Sequence, residues 1–304
     1  MFKNSRKAYQ MYRKLTDEEK AILETKKVSG KHSIREWNRK LSHIAVMDAY
    51  ADKARNGLTG IIFLSLFLTI FVSLFTLGAS ILFLTVFVIV LGLSFFGTAL
   101  FFYLKFKKID TGNQLRHFII PTLKFLNRKV RKSHKVELNI DLALPNDEQY
   151  KIDQQIDKSP ADMRFRKVTS NYYLIPWMQA KIPLADGSLL TWENEDLIRE
   201  RKVVKRRKNK RKTKYKIKHQ VKVKIMLPKS RYQLLEDRQE DSHQRAIQID
   251  EVSRYYLISI KGKQQTTRNP QFHGDEFKSM NPKYFTSLLI KAYAQVEPIK
   301  SQTV

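Results

Sequence analysis

Between Arg199 and Lys224 the chain carries 15 Lys/Arg and a single acid, Glu200. The local charge of +14 is half of the formal +28 of the 304-residue chain. Cations at this density repel one another in a folded state, and an anionic partner relieves that repulsion. The chemistry on offer is the binding of phosphate or carboxylate groups. The residues expected to do it are Lys205, Arg206, Arg207, Lys208, Lys210, Arg211, Lys212, Lys214, Lys216, Lys218, Lys222 and Lys224.

Three partners compete for such a run. An anionic lipid surface gains about 1 kcal/mol per Lys/Arg held near it, and it ranks first. Nucleic acid is second, bound through its phosphates by counterion release, with Trp192 and Tyr215 near the run as candidate base-stacking groups. An acidic protein is third.

The rest of the chain offers little catalytic chemistry. There is no Gly-rich phosphate loop and no nucleophile elbow. The seven histidines are scattered without metal-ligand spacing. His273-Gly274-Asp275-Glu276 has the composition of a solvated turn. Asp250-Glu251 with Lys261 and Lys263 lacks the acid-x-lysine spacing of a nuclease site. The chain has no cysteine, which fits a reducing compartment and excludes disulfides and thiolate chemistry. No catalytic residue, cofactor or metal is singled out, and the protein is expected to bind rather than to catalyse, with a hydrolase-like enzyme whose site no motif marks as the alternative.

The element that positions everything else is a run of 49 residues, Asn56 through Leu104, with no charge in a chain that is 28% charged. One crossing of a bilayer takes about 20 residues. The run suits two crossings, 58–75 and 81–104, with a turn at 76–80 where Gly78, Ala79 and Ser80 cluster. Ser65, Thr69 and Ser73 repeat every four residues in the first span, and Thr85, Gly92 and Ala99 every seven in the second. Small faces let membrane helices approach closely. They are expected to close the hairpin, with homo-oligomerisation as the alternative. No Asp, Glu, Lys, Arg or His lies inside the spans, which argues against an ion path.

Residues 1–55 hold 14 Lys/Arg against 7 Asp/Glu, and residues 105–135 hold 10 against Asp110 alone. Positive flanks stay in the cytoplasm. The expectation is a multi-pass protein of the inner (plasma) membrane with both termini cytoplasmic. In Tyr103-Leu-Lys-Phe-Lys-Lys108 and Phe118-Ile-Ile-Pro121, residues 55–130 resemble small bacterial membrane proteins of this two-span layout; the resemblance implies no activity.

Thr16-x-x-Glu19 and Ser33-x-x-Glu36 are capping boxes. They predict a helix from Asp17 to about Val28, stopped by Gly30, and a second from Ile34 towards the membrane. Ile34, Trp37, Leu41, Ile44 and Ala45 form one stripe of the second helix. It suits either the inner leaflet, with Trp37 at headgroup level, or the protein's own domain. A further amphipathic stretch, residues 112–130, has Leu115, Phe118, Ile119, Thr122, Leu126 and Val130 on one face and Pro121 as a break.

From Ser133 the apolar period becomes two. Val136–Leu144 and Phe165–Leu184 read as strands. Residues 146–163 read as loop or short helix. Asp186-Gly187 predicts a type I′ hairpin turn, with the return strand from Ser188 to about Glu193. Leu197–Lys205 and the Tyr215–Ile225 alternation predict a separate basic hairpin tipped by 206–212. Ala246–Ile249 and Tyr255–Ile260 are further strands. A C-terminal helix opens at Asn281-Pro282.

The chain is thus expected to be an α+β membrane protein. Its segments are a basic helical region at 1–57, the hairpin at 58–104, a basic amphipathic segment at 105–132, and a β-rich domain, sheet or barrel-like, at 133–304.

Overall fold

The computed structural model describes residues 2–78, 82–142, 148–158, 160–207, 210–235, 247–264 and 280–299. They fall into two compact units.

The first unit comprises residues 1–25 and 42–111. It begins with helix α1, Phe2–Lys14, and helix α2, Asp17–Thr25. The capping box of α2 forms reciprocally: the Thr16 amide donates to Glu19 Oε2 at 2.9 Å and the Glu19 amide to Thr16 Oγ1 at 3.2 Å. Helix α3, Ile34–Gly78, enters this unit and runs unbroken through the first apolar segment. Helix α4, Leu82–Lys108, is the second. Both are long and apolar enough to cross a membrane. Only 6% and 11% of their most apolar windows are buried, so nearly all of that apolar surface is uncovered. Phe67 is 64% exposed and Phe83 85% exposed. The expected turn at 76–80 lies partly outside the described residues, at Ala79 and Ser80.

Two of the small residues, Thr69 and Gly92, meet inside the hairpin. A Cβ built on Gly92 would lie 2.8 Å from Cγ2 and 2.9 Å from Cβ of Thr69. Thr85 Oγ1 donates to Thr76 Oγ1 at 2.8 Å, and Thr85 and Ala99 are buried. At the open end, Arg55 pairs with Asp52 and Asp110. The Thr111 amide donates to Asp48 Oδ1 at 2.9 Å.

The second unit comprises residues 26–41 and 112–304. Its sheet has eight antiparallel strands: β1 (Lys27–Ser33), β2 (Lys135–Asp141), β3 (Lys151–Asp157), β4 (Phe165–Pro183), β5 (Leu189–Lys205), β6 (Arg211–Pro228), β8 (Ile247–Val252) and β9 (Tyr255–Gln264). The order is β1-β2-β4-β5-β6-β9-β8, with β3 beside β4. The sheet is open, so the barrel alternative is set aside. A short strand β7, Tyr232–Leu234, pairs with β10, Val296–Pro298.

Several local expectations change. Helix α2 ends at Thr25, and Val28 lies in an edge strand rather than in a helix. Lys26 turns the chain with φ 60°, and Val28 pairs with Ile140. Cross-strand pairing outweighed the weak propensity of Lys-Lys-Val-Ser-Gly for either state. Residues 151–157 form a strand on β4 rather than a loop or short helix, although none of them is buried.

The β4–β5 turn is a three-residue loop rather than a type I′ turn. The Leu184 amide bonds Ser188 O at 2.8 Å, the Gly187 amide bonds Leu184 O at 3.2 Å, and Gly187 alone takes a positive φ, +85°. This is the type I turn followed by a left-handed glycine that three-residue hairpins favour.

The amphipathic segments build the core. A π-helical turn, Leu115–Ile119, runs into helix α5, Ile120–Leu126, with Pro121 in the first turn. Phe118 lies 5.5 Å from the rings of both Trp177 and Trp192 and 6.4 Å from Phe285. Phe285 belongs to helix α6, Pro282–Tyr293, and stacks at 4.1 Å on Trp192. Asn281 caps α6 by accepting from the Lys283 amide at 2.9 Å. Trp37 is fully buried and donates to Val136 O at 3.0 Å. Of the two placements open to the Ile34–Ala45 stripe, the structure takes the one on protein: Trp37 is buried there, as are Leu115, Phe118, Ile119, Leu126 and Val130 of the second amphipathic stretch.

A cationic sheet face as the candidate functional site

The run Arg199–Lys224 forms parts of two adjacent strands. Strand β5 is continuous from the β4 turn to Lys205, so the expected separate basic hairpin is the far half of a longer one. Its tip gathers Lys205, Arg206, Arg207, Lys210 and Arg211, closed by the Lys205 amide on Lys210 O at 3.0 Å. Lys208 lies outside the described residues.

Strand β6 has two unlike faces because side chains alternate along a strand. Ile217, His219, Val221, Val223, Ile225 and Leu227 are buried on one. Lys214, Lys216, Lys218, Lys222 and Lys224 occupy the other and are exposed or half-buried.

The neighbours add charge of the same sign. Arg199 lies opposite Lys216, and Arg201 opposite Lys214. Lys222 lies opposite Lys261 on β9, and Gln220 opposite Lys263. Like charges directly opposed across strands destabilise a sheet. Two acids temper the face: Glu193 reaches Lys222 at 3.8 Å, and Glu195 lies opposite Gln220. Lys214, Lys216, Lys218, Lys224, Arg199, Lys261 and Lys263 form no ion pair among the described residues.

The one acid of the run does not neutralise this face. Glu200 is buried on the opposite side. It accepts from Asn171 Nδ2 at 2.7 Å, Tyr215 Oη at 2.8 Å and Tyr173 Oη at 3.3 Å, and pairs with Lys202 at 3.0 Å. Burial opposes its charge, but the bonds from Lys202, Asn171 and Tyr215 prevail and hold its carboxyl below the usual range. Burial, together with the Glu200 charge, pushes the Tyr215 phenol well up.

Tyr215 and Trp192 both lie on the covered side, and Trp192 is fully buried, donating to Asn194 Oδ1 at 2.8 Å. Trp192 is thus a core residue and is withdrawn from any base-binding role, while half-buried Tyr215 has its hydroxyl engaged by Glu200 on the covered side.

The covered face also carries a polar group that sequence inspection missed. His219 Nδ1 lies 2.7 Å from Asp196 Oδ1, both side chains at 3% exposure or less. No described partner meets His219 Nε2, Asn194 Nδ2 or Trp177 Nε1. Asp196 and Asn194 are two residues apart on β5, and Trp177 sits at the β4 bulge opposite them. The signal was present in the alternation: His219 and Asp196 both fall in the apolar phase of their strands.

The other candidate clusters do not assemble. Glu251 pairs with Lys229 at 2.8 Å and Asp250 accepts from Gln248, and the register sets these acids opposite Tyr256 and Leu257 rather than Lys261 and Lys263. The loop at 273–276 lies outside the described residues. Scans of known family models, curated proteins and solved structures find no match to this chain.

Proposed function

We propose that this protein is anchored in the inner (plasma) membrane by the α3–α4 hairpin, with both termini cytoplasmic, and acts by binding anionic lipid headgroups through the cationic face of β5, β6 and β9. The observation that carries the reading is the opposition of Arg199 to Lys216, Arg201 to Lys214 and Lys222 to Lys261 on an open sheet face. A fold that tolerates such repulsion gains most when an anionic surface meets it. Tethering to a membrane raises the effective concentration of headgroups further. Nucleic acid recedes as an alternative because Trp192 is buried and Tyr215 lies on the side of the sheet away from the lysines, which leaves phosphate contacts alone.

Lysine acetylation of the full chain in nanodiscs, read residue by residue by mass spectrometry, tests this. In phosphatidylcholine discs containing phosphatidylglycerol, Lys214, Lys216, Lys218, Lys224 and Lys261 should lose reactivity relative to pure phosphatidylcholine discs, and recover it in high salt. Equal labelling in both discs refutes the lipid reading. Protection that appears only on adding a cytoplasmic protein fraction would transfer the face to an acidic partner.

A further inference from the structure

We propose that the hairpin also holds one anionic phospholipid, with an acyl chain in a groove on α3 and α4 and the phosphate at Arg6 and Lys105. The groove lies within the first unit, is open along one side and has a volume of about 810 Å³. That is within the range of built small-molecule sites. Its walls are mostly apolar, with Leu58 and Ile61 from α3 and Leu91, Phe95 and Phe102 from α4, interrupted by Ser94 and Thr98. One end is different. There Ser5, Arg6 and Tyr9 of α1 meet Lys105 of α4.

The polar end suits a phosphate. The Lys105 ammonium sits 5.3 Å from the centre of the Tyr9 ring. That cation–π contact places the charge without neutralising it. Arg6 and Lys105 are exposed and form no ion pair among the described residues. Helix α1 contains Lys3, Arg6, Lys7, Arg13 and Lys14 and no acid. Two free cations, a hydroxyl and a phenol at the mouth of an apolar slot complement a phosphodiester above an acyl chain.

The dimensions agree. Leu91 and Lys105 are 14 residues apart on one helix, or roughly 21 Å. Half of a bilayer, headgroups included, is about 20–22 Å. With Leu91 near the midplane, Lys105 reaches headgroup depth in the leaflet that α1 borders. An annular lipid needs neither the fixed cations nor the walled slot. Neutral phosphatidylcholine offers the same chains, but its choline would oppose Arg6 and Lys105. The occupant is therefore anionic.

This inference rests on the membrane reading of the hairpin and not on the sheet face, and the test separates them. The full chain, purified in detergent, is titrated with phosphatidylglycerol and separately with phosphatidylcholine and examined by native mass spectrometry. One phosphatidylglycerol should remain bound at collision energies that strip phosphatidylcholine. Arg6→Ala with Lys105→Ala, both surface changes, should weaken that adduct roughly 30-fold. Ser94→Trp should block the slot and remove it, while Arg6→Lys should keep it. Lys214→Gln, Lys216→Gln and Lys218→Gln together should leave it unchanged. Equal retention of the two lipids, or a phosphatidylglycerol adduct indifferent to the Arg6 and Lys105 changes, overturns the site. So does loss of the adduct in the sheet-face variant, which would assign the lipid to the sheet.

Discussion

The Tyr293 hydroxyl donates to Asp186 Oδ2 at 2.8 Å, tying the end of α6 to the β4–β5 turn across 107 positions. Tyr232 donates to the same oxygen at 2.7 Å, and the Ser188 amide to Oδ1 at 2.9 Å. Burial works against the Asp186 charge, yet these donors outweigh it and lower its pKa. Burial and the facing carboxylate raise the Tyr232 phenol to about 12.

The pH consequences have opposite signs. Asp186 stabilises the fold above the unfolded carboxylate pKa of about 3.9, and that contribution fades as pH falls through its lower folded value. Tyr232 contributes fully below the unfolded phenol pKa of about 10 and loses its contribution as pH rises towards 12. Unfolding followed from pH 9 to 12 should therefore show a steep loss of stability. Tyr232→Phe should flatten it. Tyr293→Phe should cost about 1–2 kcal/mol at neutral pH. An alkaline limb unchanged in Tyr232→Phe would remove Tyr232 from this role.

Gly92 has no room for a side chain against Thr69. Gly92→Val should pry the hairpin apart and lower its thermal stability in detergent. Thr69→Gly in the same chain should restore much of the loss. A single Gly92→Val variant as stable as the parent would mean that the helices separate at no cost.

The buried Asp196–His219 pair predicts strong non-additivity. Asp196→Leu alone leaves the imidazole without its one described partner, and His219→Leu alone leaves the carboxylate so. Each should cost about 3–5 kcal/mol. Replacing both should cost clearly less than the sum, and a double-mutant cycle measures the difference. Additive losses would show that the pair is not coupled.

Neutralising one member of an opposed pair on the cationic face should stabilise the sheet while weakening anion binding. Lys216→Thr removes the repulsion with Arg199 and adds a strand-favouring residue. The expected gain is about 0.2–1 kcal/mol at low salt, shrinking in high salt as screening replaces the substitution. Destabilisation at low salt would show that Lys216 is held by something other than repulsion.

Much of this protein is written in short-range pattern. The two capping boxes form as their spacing demands, because their partners lie three residues apart. The amphipathic stripe from Ile34 to Ala45 is buried throughout, and so is the face from Leu115 to Val130. What they pack against was not legible. An apolar stripe is equally content under lipid or under protein, and only the meeting of Phe118 with Trp177, Trp192 and Phe285 decides. Strand β1 was missed because its seven residues carry no alternation of their own; its pairing with β2 bridges about a hundred positions.

The candidate site divides in the same way. Lysines alternating with apolar residues establish that β6 has a charged face, since a strand turns its side chains to opposite sides whatever surrounds it. The uncharged run likewise establishes two helices long and apolar enough to cross a membrane. Which charges oppose which is a matter of register. Only the tertiary structure sets Arg199 against Lys216 and Lys222 against Lys261, turns Glu200, Trp192 and Tyr215 inward, and brings Arg6 to Lys105. Those relationships join distant segments, and no local periodicity encodes the distance between them.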